Sequence, residues 1–134
     1  MHKKMCPVVH FEMPYEDAGR VSKFYHQTFG WEMNKLGPEM GDYVLAGTDE
    51  ADANGMLKET NRINGGFYPK GLGIPGQPSV VIAVEDIKAA MERVKTGGGE
   101  ILGEVMPIPG IGQYVPFVDT ESNRVGLLQP VDPM

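Results

Sequence analysis

Gly41-Asp42-Tyr43-Val44 and Gly112-Gln113-Tyr114-Val115 are two forms of one tetrapeptide, set 71 residues apart in a chain of 134. Two further pairs keep the same order. Asn61-Arg62-Ile63 answers Asn123-Arg124-Val125 at 62 residues, and Glu16-Asp17 answers Glu85-Asp86 at 69. Each acidic pair follows a short apolar strand pattern and opens a helical one. A single short match arises by chance, but three in one order point to an internal duplication. The drop from 71 to 62 assigns about nine extra residues to the first half, between Thr48 and Asn61.

Each half then reads as strand, helix and three strands. In the first, Pro7 to Met13 is a strand, and Ala18, Val21, Phe24, Tyr25 and Phe29 recur at helical spacing. Glu16 and Asp17 place negative charge at the helix start, and Gly30 stops it. The spacing makes Phe24, Tyr25 and Phe29 core residues. Strands follow near 31–36, 43–48 and 62–68. In the second half 79–84 is a strand, Ile87, Ala90, Met91 and Val94 form a helical stripe, and Gly97-Gly98-Gly99 ends it. Strands near 100–106, 113–118 and 124–129 complete the set.

Residues 49–60 are polar and read as a surface loop, while 69–78, rich in Gly and Pro, join the halves. The expectation is one α+β domain over residues 1–134. Its first module covers about 7–68, the linker 69–78 and the second module about 79–130. A sheet with one helix covers a single face, so neither module is expected to stand alone. Two tandem βαβββ modules would form a curved eight-stranded sheet, helices outside, around a cleft that takes a ligand.

Composition narrows the function. Twelve basic against 18 acidic residues give a net charge of -6, which opposes a phosphate backbone, so nucleic acid is not an expected partner. No apolar run approaches the ~20 residues that span a bilayer, so no membrane association is expected. The N-terminus lacks a signal-peptide core, and a cytoplasmic location is the default. Cys6, the single cysteine, excludes an internal disulfide and a cysteine-based zinc site.

Alternation along the first strand puts Val9, Phe11 and Met13 on one face and Val8, His10 and Glu12 on the other. The apolar face belongs against the helix, which aims His10 and Glu12 into the cleft. A histidine beside a carboxylate can move protons near neutral pH. The plainer reading is a satisfied structural histidine, with Glu12 paired to Arg62 or Arg124. The repeat offsets match His10 to Ser79 and Asn64 to Gly126. Tyr43 and Tyr114, at equivalent positions, either line the cleft or pack on the sheet. Trp31 is either a wall of the ligand pocket or a core anchor. The loop Pro107 to Gly112 either caps the cleft mouth or simply connects strands.

The run from His10 through Phe24-Tyr25 to Phe29-Gly30-Trp31, then Gly112-Gln113-Tyr114 and Asp119-Thr120-Glu121-Ser122-Asn123-Arg124, resembles the vicinal-oxygen-chelate superfamily. That group includes glyoxalase I, extradiol dioxygenases and antibiotic-sequestering proteins. Asn64-Gly65-Gly66 and residues 107–112 look like a bacterial glyoxalase-related branch. The resemblance implies metal ligands at four strand positions, here His10, Asn64, Ser79 and Gly126. Only His10 is a strong ligand among these, and a catalytic divalent site needs about three. No cofactor is therefore expected; a divalent metal would rest on His10 with help from Glu12 or a partner chain. The expectation is a metal-independent protein for a small-molecule ligand. It would act as a lyase or isomerase beside a carbonyl, with His10 or Glu12 as base and Asn64, Ser79, Tyr43, Tyr114 and Trp31 around the ligand. The alternative is a non-catalytic protein that sequesters an antibiotic or other toxic compound. The resemblance also implies a homodimer.

Overall fold

The computed structural model describes residues 5–53, 57, 61–71 and 76–131. Lys3-Lys4 and parts of the segments 49–60 and 69–78 lie outside these residues. The chain is mixed α+β and divides into two compact units, His10–Pro78 and Met1–Val9 with Ser79–Met134.

The first unit contains β1 from His10 onward (the strand spans Val8–Tyr15), α1 (Ala18–Phe29), β2 (Glu32–Lys35), β3 (Val44–Gly47) and β4 (Asn64–Pro69). Its sheet order is β2-β3-β4-β1, with β4 parallel to β1 and the other pairs antiparallel. Helix α1 starts where Asp17 accepts a hydrogen bond from the Arg20 amide at 2.9 Å. It ends at Gly30, whose φ of 76° is left-handed. Phe11, Met13, Val44, Ala46 and Phe67 form the sheet side of the core, and Ala18, Val21 and Tyr25 pack on them from the helix. Phe67 is fully buried, worth roughly 1.5–3 kcal/mol relative to exposure.

The helix stripe is wider than the sheet beneath it, which corrects one expectation. Tyr25 turns inward, but Phe24 and Phe29 are 54% and 61% exposed. They meet Tyr25 with ring centroids at 5.0 and 5.9 Å and lie beyond the sheet.

The second unit repeats the plan with β5 (Ser79–Ala83), α2 (Ile87–Thr96), β6 (Glu100–Ile101), β7 (Met106–Ile108), β8 (Gly112–Val118) and β9 (Arg124–Pro130). The order is β5-β9-β8-β6, with β7 also on β8, and β9 runs parallel to β5. Asp86 caps α2 as Asp17 caps α1, accepting from the Ala89 amide at 3.1 Å. The strand expected over 100–106 is two pieces. Leu102 N–H still reaches Pro116 O at 2.9 Å, but Gly103, at φ 89°, turns the chain out before Met106 rejoins β8. Val84, Ile87, Ala90, Val115 and Leu127 make this unit's core, with Ile82 and Phe117 against them.

Candidate functional site

Strand parity in the first unit leaves one sheet face without a helix. Phe11 and Met13 lie in the core beside α1, so His10 and Glu12 project from the opposite face. In the parallel register His10 stands beside Asn64, and Glu12 beside Gly66. Val44 and Ala46 belong to the core, so Tyr43 and Leu45 point the same way as His10.

A tight turn delivers Tyr43 to this face. Pro38–Met40 form one 3-10 turn, after which Gly41 and Asp42 are both left-handed, with φ of 68° and 55°. The Tyr15 hydroxyl donates to Asp42 O at 2.7 Å, and Leu36 N–H to Tyr43 O at 2.7 Å. Burial, then the Asp42 carboxylate, raises the Tyr15 pKa, so this phenol stays protonated and keeps donating.

The Tyr43 ring then lies flat on β4 over Gly66, where any Cβ would overlap its phenol carbons and oxygen. Gly65 does the same for Phe11 on the helix side. The doubled glycine thus serves two aromatic rings, one on each face.

Three polar side chains meet there. The Tyr43 hydroxyl donates to Glu12 Oε2 at 2.9 Å, and His10 Nε2 is 3.1 Å from the same hydroxyl. A phenol has one proton, and here it is given to Glu12. His10 Nε2 must therefore carry a hydrogen and donate it to Tyr43. Burial pushes the His10 pKa from 6.5 down to about 4. The imidazole is neutral at pH 7, so with the hydrogen on Nε2 the lone pair is on Nδ1. Glu12 is buried, with 8% exposure. The result is a chain of donors running from imidazole through phenol to carboxylate.

Asn64 is partly committed. Its Oδ1 accepts from the Thr48 amide at 2.9 Å, closing the β3 end onto β4. That bond fixes the amide's orientation and presents Nδ2 as its donor end. Trp31 stands with the core. Its ring stacks on Tyr25 at 4.7 Å and tilts on Phe11 at 5.6 Å, on the helix side and away from His10. Arg62, one partner offered for Glu12 by the sequence, pairs with Asp49.

Ser79 and Tyr114 belong to the second unit, on its own helix-free face. Tyr114 lies over Gly126 much as Tyr43 lies over Gly66, since a Cβ at Gly126 would sit 2.7 Å from the Tyr114 ring. This pairing corrects the repeat alignment. Gly66 neighbours Glu12 and Gly126 neighbours Val81, so the last strands correspond at 60 residues (66 to 126), not 62. Asn64 therefore matches Arg124, and Gly66 is the partner of Gly126. The Asn-Arg similarity is out of register by two residues. The sequence signal that finds the true register is glycine in mid-strand, because each one is the floor under a tyrosine.

Whether a divalent ion fits the expected metal positions depends on the donors present there. No cluster of three His, Cys, Asp or Glu exists among the described residues. On the first unit's face the donors are His10 and Glu12, and Asn64 Oδ1 is taken by Thr48. The matching places in the second unit are Ser79, a weak ligand, and Arg124, whose guanidinium repels a cation. The residues do not fit the divalent site that the resemblance implies, and no step below passes through one. No helix among the described residues is long and apolar enough to cross a membrane.

Comparison with known proteins agrees with this architecture. A family model described as bleomycin resistance protein-like N-terminal matches residues 8–48. A glyoxylase-like domain-containing protein of Didymella fabae is 32% identical over 127 residues, covering 84% of both chains. The anthracycline biosynthesis protein DnrV of Streptomyces peucetius is 27% identical over 116 residues; they cover 81% of this chain but 42% of that protein. Among solved structures, methylmalonyl-CoA epimerase from Mycobacterium tuberculosis superposes with a TM-score of 0.66 at 14% identity, covering 93% of this chain and 88% of that one. A Streptomyces coelicolor methylmalonyl-CoA epimerase, in complex with 2-nitronate-propionyl-CoA, gives 0.69 at 13% identity, covering 97% and 100%. At such identities the likeness is one of fold.

Proposed function

The chain belongs to the vicinal-oxygen-chelate superfamily of glyoxalase-like and bleomycin-resistance-like proteins, and from that premise we propose that it moves a proton at a carbon next to a carbonyl, as an isomerase or lyase does. The observation that carries this reading is the hydrogen-bonded series His10–Tyr43–Glu12 on a sheet face that no helix covers.

The geometry divides the roles. A pKa of about 4 makes His10 a weak base at neutral pH, so it serves as the fixed donor that orients Tyr43. Glu12 is the proton acceptor. Tyr43 orients its carboxylate through Oε2, and the proton of the substrate C–H bond goes to that carboxylate. The bonding pair moves onto the carbonyl oxygen as an enolate, and Asn64 Nδ2 is the donor that steadies it. Protonation of the same carbon on the opposite face of the enolate, from solvent, gives epimerisation; return of the proton to the next position gives isomerisation. The substrate is a small molecule, and a homodimer in the cytoplasm belongs to the same reading.

The test is solvent-deuterium exchange, followed by NMR, at the acidic carbon of a methylmalonyl thioester and of simpler 1,3-dicarbonyl compounds. Catalysed exchange should fall by about 100-fold or more in Glu12→Gln, the usual scale for a lost general base. Exchange no faster than in buffer for every compound, or unchanged in the variant, overturns the reading.

The match over residues 8–48 to a bleomycin-resistance-like model supports a second reading, sequestration of a toxic compound. Tight, stoichiometric binding of such a compound without any exchange chemistry, unaffected by Glu12→Gln, would establish it instead.

A further inference from the structure

Tyr43 holds its phenol oxygen between Glu12 and His10, and the peptide group that places its Cα is the one joining it to Asp42. The two ends of that group are held unequally. Its amide, the Tyr43 N–H, reaches Met40 O at 3.4 Å, which is long for a hydrogen bond. Its carbonyl, Asp42 O, accepts from the Tyr15 hydroxyl at 2.7 Å. Asp42 is left-handed, a conformation that costs a residue with a Cβ, so the peptide group has reason to turn once it is released. The exposed Lys35–Asp42 ion pair, at 3.8 Å, acts on the side chain and adds little restraint to the backbone. Tyr15 is a firm anchor by contrast. Its ring, 8% exposed, belongs to the core cluster with Val44 and Phe67. Strand alternation puts it there with Phe11 and Met13, on the other face of the sheet from His10 and Glu12.

We propose that Tyr15 is a positioning residue for the His10–Tyr43–Glu12 series: its hydroxyl, fixed by the core, sets the peptide group from which the Tyr43 phenol is aimed. The effect on catalysis rests on the proton-transfer reading above, whereas the effect on the place of Tyr43 does not. Leverage is the reason. The phenol oxygen is the far end of a rigid ring, so a small turn at the Asp42–Tyr43 peptide is magnified there. Its bonds to Glu12 and His10, at 2.9 and 3.1 Å, weaken steeply as the alignment is lost. A misplacement of about 1 Å, caused by a change away from the chemistry, can cost about 100-fold in rate. Tyr15 acts through the backbone and not on the substrate, since its hydroxyl proton is given to Asp42 O.

The test is Tyr15→Phe in the full chain, which keeps the ring in the core and removes the hydroxyl alone. Histidine-selective nitrogen NMR reads the place of Tyr43 through His10. In the parent the Nε2–H should exchange slowly and the ring should be a single tautomer. In Tyr15→Phe that proton should be lost to water and the tautomers should mix, as in Tyr43→Phe, while the amide spectrum of α1 and β4 stays that of the folded parent. In the deuterium-exchange assay kcat should fall by about tenfold or more with KM unchanged. A merely structural tyrosine would lower the folded fraction and leave the His10 signals of the folded molecules unaltered, a result that overturns the proposal. If Tyr15→Phe does not fold, Asp42→Val turns the same peptide group without touching the core, because a β-branched residue is an outlier at φ 55°. A retained Nε2–H signal in that variant overturns the proposal as well. Exchange absent from the parent removes the proton-transfer reading and leaves the His10 signals to decide the positioning. Exchange present but equal in Tyr15→Phe overturns the positioning and leaves that reading in place.

Discussion

Acidification should destabilise this protein through His10, in a window that the structure sets. The imidazole is buried, and its pKa falls from 6.5 to about 4. Between those values the unfolded chain binds a proton that the folded chain refuses. Stability therefore rises with pH across the window and is lost as pH drops from 6.5 toward 4. With those two values, the contribution lost between pH 7 and pH 5 is about 2 kcal/mol, and by pH 4 about 3 kcal/mol. Other carboxylates also respond to acid, so the measurement must be a difference. His10→Gln keeps an N–H donor where Nε2 stood and cannot take up a proton. Urea unfolding of both proteins at pH 7, 6 and 5 isolates the term. The variant should gain about 2 kcal/mol relative to the parent over that range, whatever its stability at pH 7. A gap that stays constant with pH would refute the argument from burial. So would a His10 ring resonance that titrates near 6.5.

The glycine floors offer a graded series. Gly66→Ala should displace Tyr43, break both bonds that it makes and cost about 1–3 kcal/mol, read as a lower urea midpoint. Gly126→Ala should cost less, because the nearest Tyr114 atoms are at 2.7 Å on the ring of a side chain that can shift. Gly112→Ala should be the most severe, since its φ is 153° and the new Cβ would strike the backbone carbonyl of Gln129; a loss of more than about 3 kcal/mol is expected in the same assay. Tyr43→Phe should leave the fold intact and reduce proton exchange by about tenfold or more, while equal rates would remove the phenol from the mechanism. The Asp119 carboxyl, held below its ordinary pKa mainly by the Asn123 side chain and amide, should titrate at lower pH by carbon-detected NMR than in Asn123→Ala.

How much of this was legible beforehand follows from where the information lies. Period-2 alternation around His10 and the apolar stripe of α1 are local, and they placed the imidazole on the helix-free face correctly. The stripe does not encode how far the sheet extends beneath the helix, so it carries the core on to Phe24 and Phe29, whereas the core ends at Tyr25. The match between Asn61-Arg62 and Asn123-Arg124 was misleading for a related reason. A two-residue slip preserves which face every side chain occupies. Alternation was therefore blind to the error, and the wrong register still produced a self-consistent sheet. What breaks that degeneracy is steric: a tyrosine ring needs a residue without a Cβ beneath it, and in each half a glycine beside the first strand, Gly66 or Gly126, lies under that ring. Once those glycines are aligned, Arg124 moves to the place of Asn64, and the two faces part company chemically. One carries an imidazole–phenol–carboxylate series, the other a guanidinium beside a buried hydroxyl. Duplication supplied two copies of one scaffold, and the divergence at matching strand positions is what gives each copy its own chemistry.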